Sequence, residues 1–97
     1  MRTKAVHVYV TGQVQEVGYR QSCRSYARSL GLVGWVRNLK DGRVELFAQG
    51  EASAVDLLVD WCWSGTSHSV VTGVESDNVA SDVTVTDFFI QPSPSTV

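Results

Sequence analysis

The 97-residue sequence has few of the residues that cross-link or anchor a small protein. Its two cysteines are too few for a disulfide scaffold and form no CxxC pair, and its two histidines are too few for a zinc-ligand cluster. It contains no run of about 18 apolar residues, which excludes a membrane-spanning helix. The chain is also too short for two hydrophobic cores. These absences predict one small globular domain with no metal, no cofactor and no membrane partner.

The second half of the sequence lacks lysine and arginine altogether. All eight of these residues lie between Arg2 and Arg43, where Glu16 and Asp41 are the only acids. Residues 1–43 therefore carry a formal charge of +6, whereas residues 44–97 carry eight carboxylates and a charge of −8. This asymmetry suggests that the first half binds an anionic ligand, although a solvated basic surface would give the same pattern.

The N-terminal stretch lacks the continuous apolar core of a signal peptide, because His7 and Tyr9 interrupt its valines. We therefore expect a cytoplasmic protein. For a chain of this size we expect a monomer.

Hydrophobic spacing predicts the order β-α-β-β-α-β followed by one more strand. Residues 4–11 alternate with a period of two, which is typical of a strand with one buried face. Apolar residues at i, i+3, i+4 and i+7 predict two amphipathic helices, one ending at Gly31 and one ending at Gly65. The predicted elements are a strand at 4–11, a helix through Cys23, Tyr26, Ala27 and Leu30, strands at 34–39 and 43–49 around an Asp41-Gly42 turn, a helix at 52–64, and strands around Val70–Glu75 and Val83–Ile90.

This order predicts an α+β fold, the ferredoxin-like sandwich, in which two helices pack on one face of an antiparallel sheet. Right-handed crossovers place the first and third strands side by side at the centre, with a short fifth strand at the C-terminus. We expect a single domain over residues 1–90. Residues 91–97 contain Pro92 and Pro94 and are predicted to form a flexible tail.

The loop after the first strand carries a family resemblance. Gly12-Gln13-Val14-Gln15-Glu16-Val17-Gly18-Tyr19-Arg20 resembles the G-x-V-Q-G-V-x-[FY]-R signature of the acylphosphatase family. The segments Ala27-Arg28-Ser29-Leu30-Gly31-Leu32 and Gly34-Trp35-Val36-Arg37-Asn38-Leu39 also match, and the resemblance covers roughly residues 4–90. It implies hydrolysis of the carboxyl-phosphate bond of acyl phosphates to a carboxylate and inorganic phosphate, without a metal.

The resemblance also implies roles for particular residues. Arg20 would clamp the phosphoryl oxygens of a small-molecule acyl phosphate, or of inorganic phosphate, and Asn38 would position the attacking water. The backbone amides that would cradle the anion belong to Gln15, Glu16, Val17, Gly18, Tyr19 and Arg20.

Elementary chemistry is consistent with these roles. A loop that enters a helix N-terminus presents unpaired N–H groups to an anion, and an arginine can hold two phosphoryl oxygens at once. A carboxylate leaves without being protonated, so no general acid is needed. No general base is evident, so we infer that a phosphate oxygen of the substrate takes the proton of the water. The opposing interpretation is that Arg20, with Arg24 and Arg28, forms a solvated stripe on a helix, and that Asn38 only serves the geometry of a turn.

Glu16 departs from the family pattern, which has glycine at this position. If the position requires a positive φ, a side chain there costs roughly 1–2 kcal/mol, and the carboxylate also opposes the bound dianion. The hypothesis is an active but impaired enzyme, and the alternative is a related domain that binds phosphate or a partner without turnover.

The sheet and the cysteines each allow two interpretations. Tyr9 and Phe47 could stack RNA bases on the first and third strands, but the RNP1 motif is absent and the pI is about 5.5, so we expect no nucleic-acid partner. Antiparallel helices would bring Cys23 close to Cys62, either as two buried thiols or as a disulfide.

Overall fold

The alternating residues near the N-terminus form the longest strand of the computed structural model, which describes residues 2–95. Both helices and all five predicted strands are present. The elements are β1 (Thr3–Gln13), α1 (Tyr19–Ser29), β2 (Val33–Asn38), β3 (Val44–Glu51), α2 (Ala52–Ser64), β4 (Val70–Asn78) and β5 (Phe88–Ile90). Neither helix is long and apolar enough to cross a membrane, within the part of the chain that the structure describes.

The sheet has the strand order β4-β1-β3-β2-β5, so β1 and β3 lie at its centre as predicted. The pairs β1–β3, β1–β4 and β2–β3 are antiparallel. The fifth strand is different, because it runs parallel to β2 with Phe88 opposite Gly34. The prediction of an antiparallel sheet is therefore wrong for β5. After β4 at one edge of the sheet, the chain crosses to the other edge, where β5 runs parallel to β2. The fold is ferredoxin-like, and its sheet is mixed.

One face of the sheet packs against both helices and forms the core. Val6, Val8 and Val10 of β1 are fully buried there, together with Leu46 of β3 and Val36 of β2. Full burial of one such side chain stabilises the fold by about 1.5–3 kcal/mol. The helix residues that complete this core include Cys23 and Ala27 of α1 and Val55, Leu58 and Cys62 of α2, all at the predicted spacing.

The predicted stop at Gly31 is a Schellman motif. Gly31 has a φ of 75°, a left-handed conformation that costs glycine little. Its N–H donates to the Arg28 carbonyl at 3.0 Å, and the N–H of Leu32 donates to the Ala27 carbonyl at 3.0 Å. These bonds satisfy carbonyls at the end of α1 and turn the chain into β2.

The predicted strand around Val83–Ile90 is wrong for its first five residues. Val83 is 91% exposed, and the N–H and hydroxyl of Thr84 both donate to Asp82 Oδ1, at 3.0 and 2.6 Å. The alternating valines and threonines therefore follow a side-chain-capped turn and have no strand beside them. Only residues 88–90 join the sheet.

Arg28, considered above as one residue of a solvated stripe on α1, instead makes specific contacts. Its Nε donates to the Phe88 carbonyl at 3.0 Å, and its guanidinium lies 3.2 Å from an Asp87 carboxylate oxygen. The residue therefore links α1 to β5.

Part of the predicted C-terminal tail makes specific contacts. The Gln91 N–H donates to the Val36 carbonyl at 2.9 Å, and the Lys40 ammonium donates to the Ser95 carbonyl at 2.5 Å. Thr96 and Val97, the end of that predicted tail, lie outside the described residues.

Both cysteines are fully buried and free in the structure. Burial raises the pKa of the Cys62 thiol to about 12. Burial, with a smaller contribution from the neighbouring Cys62, also raises the pKa of the Cys23 thiol. Both thiols belong to the apolar core, so of the two alternatives the structure has two buried thiols and not a disulfide.

The other face of the sheet, which we call the outer face, carries a cluster of charged and aromatic side chains. Glu45 lies 2.6 Å from both His7 Nε2 and Arg37 Nε, and its side chain is 7% exposed. Burial acts to raise the pKa of Glu45, but the hydrogen bonds from Arg37 and His7 outweigh it and hold the pKa below its ordinary value. The aromatic ring of Trp35 lies under Arg37, at 5.0 Å.

Candidate active site

The loop between β1 and α1 alternates between two backbone conformations. Glu16 has a φ of 62° and Gly18 a φ of 76°, whereas Val17 between them does not have a positive φ. Successive amides in such an arrangement point to the same side and form an anion-binding nest. Glu16 is the non-glycine residue with positive φ in residues 2–95, so the position that departs from the family signature does require a left-handed conformation.

The amides of residues 15–20, which we call the candidate phosphate loop, have no acceptor elsewhere in the described part of the chain. The neighbouring carbonyls are occupied instead. The Val17 carbonyl accepts from the Thr66 hydroxyl at 2.9 Å, and the Gly18 carbonyl accepts from the Ser22 N–H at 3.1 Å. The first turn of α1 contains no acidic residue. The loop and the helix N-terminus therefore offer unpaired donors and a positive dipole end to an anion.

Gln15 fixes the candidate phosphate loop to the β2–β3 hairpin. Its side-chain Nε2 donates to the Leu39 carbonyl at 2.7 Å and to the Arg43 carbonyl at 2.9 Å. The sequence predicted only a backbone amide from Gln15, so this second role was missed. A glutamine in a glycine-rich loop, followed later by a hairpin, is too common a pattern to have indicated it.

A cavity of about 320 Å³ opens at this loop. Its lining includes the predicted residues Glu16, Gly18 and Arg20. Arg20 is half-buried, and its guanidinium forms no ion pair or hydrogen bond within residues 2–95. The one arginine in the cavity wall is therefore free to hold a ligand.

Tyr19 contributes to the loop through its backbone and to the core through its side chain. The ring is 1% exposed, and its hydroxyl donates to the Cys62 carbonyl at 2.8 Å. Burial raises the pKa of this hydroxyl far above its ordinary value, so it stays protonated. The side chain therefore anchors the start of α1 against α2.

Asn38 is the last residue of β2 and pairs with Val44. Because it follows the buried Val36 by two residues, its side chain lies on the same face of the sheet. Its Oδ1 is buried and has no hydrogen-bond partner among the described residues. An unpaired buried acceptor costs about 1–3 kcal/mol, so such a group commonly has a functional reason. Asn38 does not line the cavity around Arg20. The next residue, Leu39, accepts a hydrogen bond from Gln15 of the loop.

Sequence reasoning missed the apolar part of the cavity wall. Ile90 of β5 lines it, together with Val14 and with Gln21 from the first turn of α1. Ile90 reaches this position because β5 pairs with β2 and places it opposite Val36. No local pattern in the sequence indicates that long-range pairing.

The family model for acylphosphatase matches residues 6–90, which include the whole candidate phosphate loop, Asn38 and Ile90. The chain belongs to the acylphosphatase family.

Several individual acylphosphatases resemble the chain over most of their length. That of Methylococcus capsulatus is 49% identical over 87 residues, covering 90% of this chain and 95% of the relative. That of Roseiflexus sp. is 55% identical over 69 residues, covering 71% of this chain and 74% of the relative. The solved structure of an acylphosphatase from Coxiella burnetii superposes with a TM-score of 0.86 at 38% identity, covering 92% of this chain and 93% of that one. The chain is therefore an enzyme of a family that hydrolyses acyl phosphates.

Two further features of this acylphosphatase concern possible metal ligands and the aromatic rings of the outer face. Residues 2–95 contain no group of three or more histidine, cysteine, aspartate or glutamate side chains placed to hold a metal ion. On the outer face, Phe47 is 8% exposed, and the Arg43 guanidinium lies over the Tyr9 ring at 4.5 Å. Of the two rings considered for stacking RNA bases, Phe47 is therefore buried, whereas Tyr9 stays partly exposed beside Arg43. His7 also bonds Glu45 on this face, on the side of the sheet away from the helices.

Proposed function

We propose that this acylphosphatase hydrolyses the carboxyl-phosphate bond of acyl phosphates without a metal, in the cavity at residues 15–20. One observation carries the proposal. Residues 16, 18, 19 and 20 of the candidate phosphate loop line a single cavity of about 320 Å³, and their amides and the guanidinium of Arg20 are unpaired within residues 2–95. Donors without protein partners at a helix N-terminus are suited to the equatorial oxygens of a phosphoryl group.

Arg20 and the amides bind the phosphoryl group in this mechanism. The planar guanidinium donates to two phosphoryl oxygens, while the amides donate to the others. Phosphoryl transfer depends mainly on positioning and on stabilising the charge of the equatorial oxygens. Inorganic phosphate, the product, occupies the same donors.

Asn38 positions the attacking water. Its buried, unpaired Oδ1 accepts a hydrogen bond from the water and aims the water oxygen at phosphorus. The bond from water oxygen to phosphorus forms as the bond from phosphorus to the acyl oxygen breaks, and the carboxylate leaves with the electron pair. A phosphate oxygen of the substrate takes the proton from the water, so neither a general acid nor a general base is required.

The proposed enzyme is a cytoplasmic monomer that acts on a small molecule and has no nucleic-acid or membrane partner. The burial of the Phe47 ring supports the absence of a base-stacking site on the outer face. Size-exclusion chromatography with light scattering at micromolar concentration tests the monomer directly.

Phosphate release from acetyl phosphate and benzoyl phosphate tests the proposed function. We expect turnover that survives a chelator and falls by a factor of at least about 10² in Arg20→Ala. Arg24→Ala is the matched control, because Arg24 lies one turn further along α1 and does not line the cavity. Equal loss in the two variants, or loss on chelation, would overturn the proposal.

The role of Asn38 has its own test. We expect Asn38→Ala to lower kcat by about 10–10³-fold while the Kd for inorganic phosphate stays within about twofold, since the water and not the phosphoryl group is affected. A wild-type kcat in a variant that still binds phosphate would show that Asn38 does not position the water.

The alternative is a domain that binds phosphate with little or no turnover. The strained backbone at Glu16 and the carboxylate in the cavity wall are the observations that favour it. Under the impaired-enzyme hypothesis, Glu16→Gly raises kcat/KM on acetyl phosphate by several-fold. An unchanged kcat/KM would contradict that hypothesis. Phosphate binding with no turnover in the wild type or in Glu16→Gly would establish the alternative, a domain that binds phosphate without hydrolysing it.

A further inference from the structure

Glu16 places a negative charge at a site whose other side chains are neutral or, in Arg20, positive. It is the one acidic residue among those that line the cavity, and it shares that cavity with Arg20. Its carboxylate forms no ion pair within residues 2–95, either with Arg20 or with any other cation. The charge is therefore not neutralised by the protein and acts on whatever enters the cavity.

The position of this charge relative to the amides sets what it can contact. The backbone of Glu16 is part of the nest, but its side chain is exposed and carries the carboxylate two methylenes beyond Cα. The phosphoryl group occupies the amides themselves under the proposed function. The part of the substrate that the exposed carboxylate can reach is then the acyl group at the mouth of the cavity.

We propose that Glu16 selects among acyl phosphates by the charge of the acyl group, favouring groups that carry an ammonium or another N–H donor over groups that carry a carboxylate. This inference rests on the proposed function. Repulsion between Glu16 and the phosphoryl dianion is common to all acyl phosphates and lowers the affinity for each of them equally. Attraction or repulsion at the acyl group differs between substrates, so it determines their relative kcat/KM.

A matched series of three substrates isolates this effect. Propionyl, β-alanyl and succinyl phosphate share two methylene carbons next to the acyl carbonyl. At the far end of these carbons they carry hydrogen, ammonium and carboxylate, respectively. Ile90 lines the cavity, so any contact that it makes with this chain is common to the three substrates. We expect the kcat/KM of the wild-type enzyme to be about tenfold higher for β-alanyl than for succinyl phosphate at low salt, with propionyl phosphate between them.

Two substitutions separate the charge of Glu16 from its backbone strain. Glu16→Gln removes the charge and keeps a side chain at the positive φ, whereas Glu16→Gly removes both. We expect the β-alanyl to succinyl ratio to fall at least about fivefold in both variants, and to shrink in the wild type as ionic strength rises. A ratio that changes only in Glu16→Gly, or in neither variant, overturns the inference.

Failure of the inference is distinguishable from failure of the proposed function. If the wild-type enzyme releases phosphate from none of the three substrates, the proposed function fails. If it hydrolyses all three and the ratio is the same in the wild type and in Glu16→Gln, the function stands and the selectivity of Glu16 does not.

Discussion

The candidate phosphate loop and the outer face of the sheet both contain arginine, but the arginines of the outer face are paired with acids and the arginine of the loop is not. On the outer face, Arg37 lies 2.6 Å from Glu45, and Arg43 lies 2.8 Å from Asp41. In the loop, Arg20 pairs with no group of residues 2–95, and the amides around it are unpaired as well.

The difference shows how the positive charge of the first half of the chain is divided. Within residues 2–95, four of its eight cations form ion pairs with acids, namely Lys4, Arg28, Arg37 and Arg43. A donor that the protein itself satisfies contributes to stability, whereas a donor left unpaired in a cavity is available to a ligand. Net charge alone does not separate the two groups, because pairing depends on the fold.

The first and largest prediction concerns Arg20. Arg20→Lys keeps the charge but loses the planar fork, so we expect kcat/KM on acetyl phosphate to fall by a factor of at least about 10². The free energy of unfolding should change by less than about 0.5 kcal/mol, because Arg20 has no partner within residues 2–95. Kinetics and urea unfolding of the same preparation measure both quantities. A large loss of stability would contradict the distinction between the two regions.

Arg37 should show the reverse behaviour. Arg37→Met leaves Glu45 buried with only His7 beside it, so we expect the free energy of unfolding to fall by about 2 kcal/mol. The kcat/KM of the folded variant should stay within about twofold of the wild type. The double variant Arg37→Met/Glu45→Gln is the control, since removing the buried charge should restore part of the stability. If the double variant is no more stable than Arg37→Met, the ion pair is not the cause.

The positive φ of Glu16 in the candidate phosphate loop is expected to lower the free energy of unfolding. Replacing Glu16 with glycine relieves the backbone strain at a φ of 62°, and we expect a gain of about 1 kcal/mol in the free energy of unfolding. Glu16→Gln retains the strain and should gain little. Equal effects of the two substitutions in urea unfolding would mean that charge, not conformation, sets the cost.

The smallest expected effect is a pH dependence that originates on the outer face. The pKa of Glu45 is lower in the folded protein than its ordinary value of 4.5, because the bonds from Arg37 and His7 outweigh the effect of burial. Its contribution to stability is therefore present above about pH 4.5 and is lost as the pH falls through the lower, folded-state pKa.

Unfolding measured between about pH 6 and pH 3 tests this contribution. Glu45→Gln should lose less stability over that range than the wild type does. A steeper loss in the variant would contradict the assigned direction of the pKa shift.

The elements with clear local periodicity were predictable from the sequence. The valines of β1 alternate and are buried as expected, and α2 begins and ends at the predicted residues 52 and 64. The segment around Val83 shows the limit of this reasoning. Valine and threonine alternate there as in a strand, but a strand also needs a neighbour, and the described part of the sheet places none beside residues 83–86. The parallel pairing of β5 and the bond from Arg28 to Phe88 are similarly long-range.

The features of the candidate site also differ in whether they depend on local sequence or on long-range packing. The family signature indicated Arg20, the loop amides and the positive φ at Glu16, because these depend on residues close together in sequence. The bonds from Gln15 to the hairpin and the position of Ile90 depend on how distant elements pack, so the sequence did not reveal them. The role of Asn38 remains a prediction supported by its unpaired Oδ1.

A titration of the enzyme with inorganic phosphate, followed through backbone amide chemical shifts, tests the central claim most directly. We expect the amides of residues 15–20 to shift most and to saturate together, and Arg20→Ala to weaken the binding by at least about tenfold in Kd. Amides of Trp35 and Phe47 on the outer face, away from the carbonyls that Gln15 contacts, should not shift. Saturable shifts at the outer face with none at residues 15–20 would contradict the claim that the unpaired donors form the phosphate site.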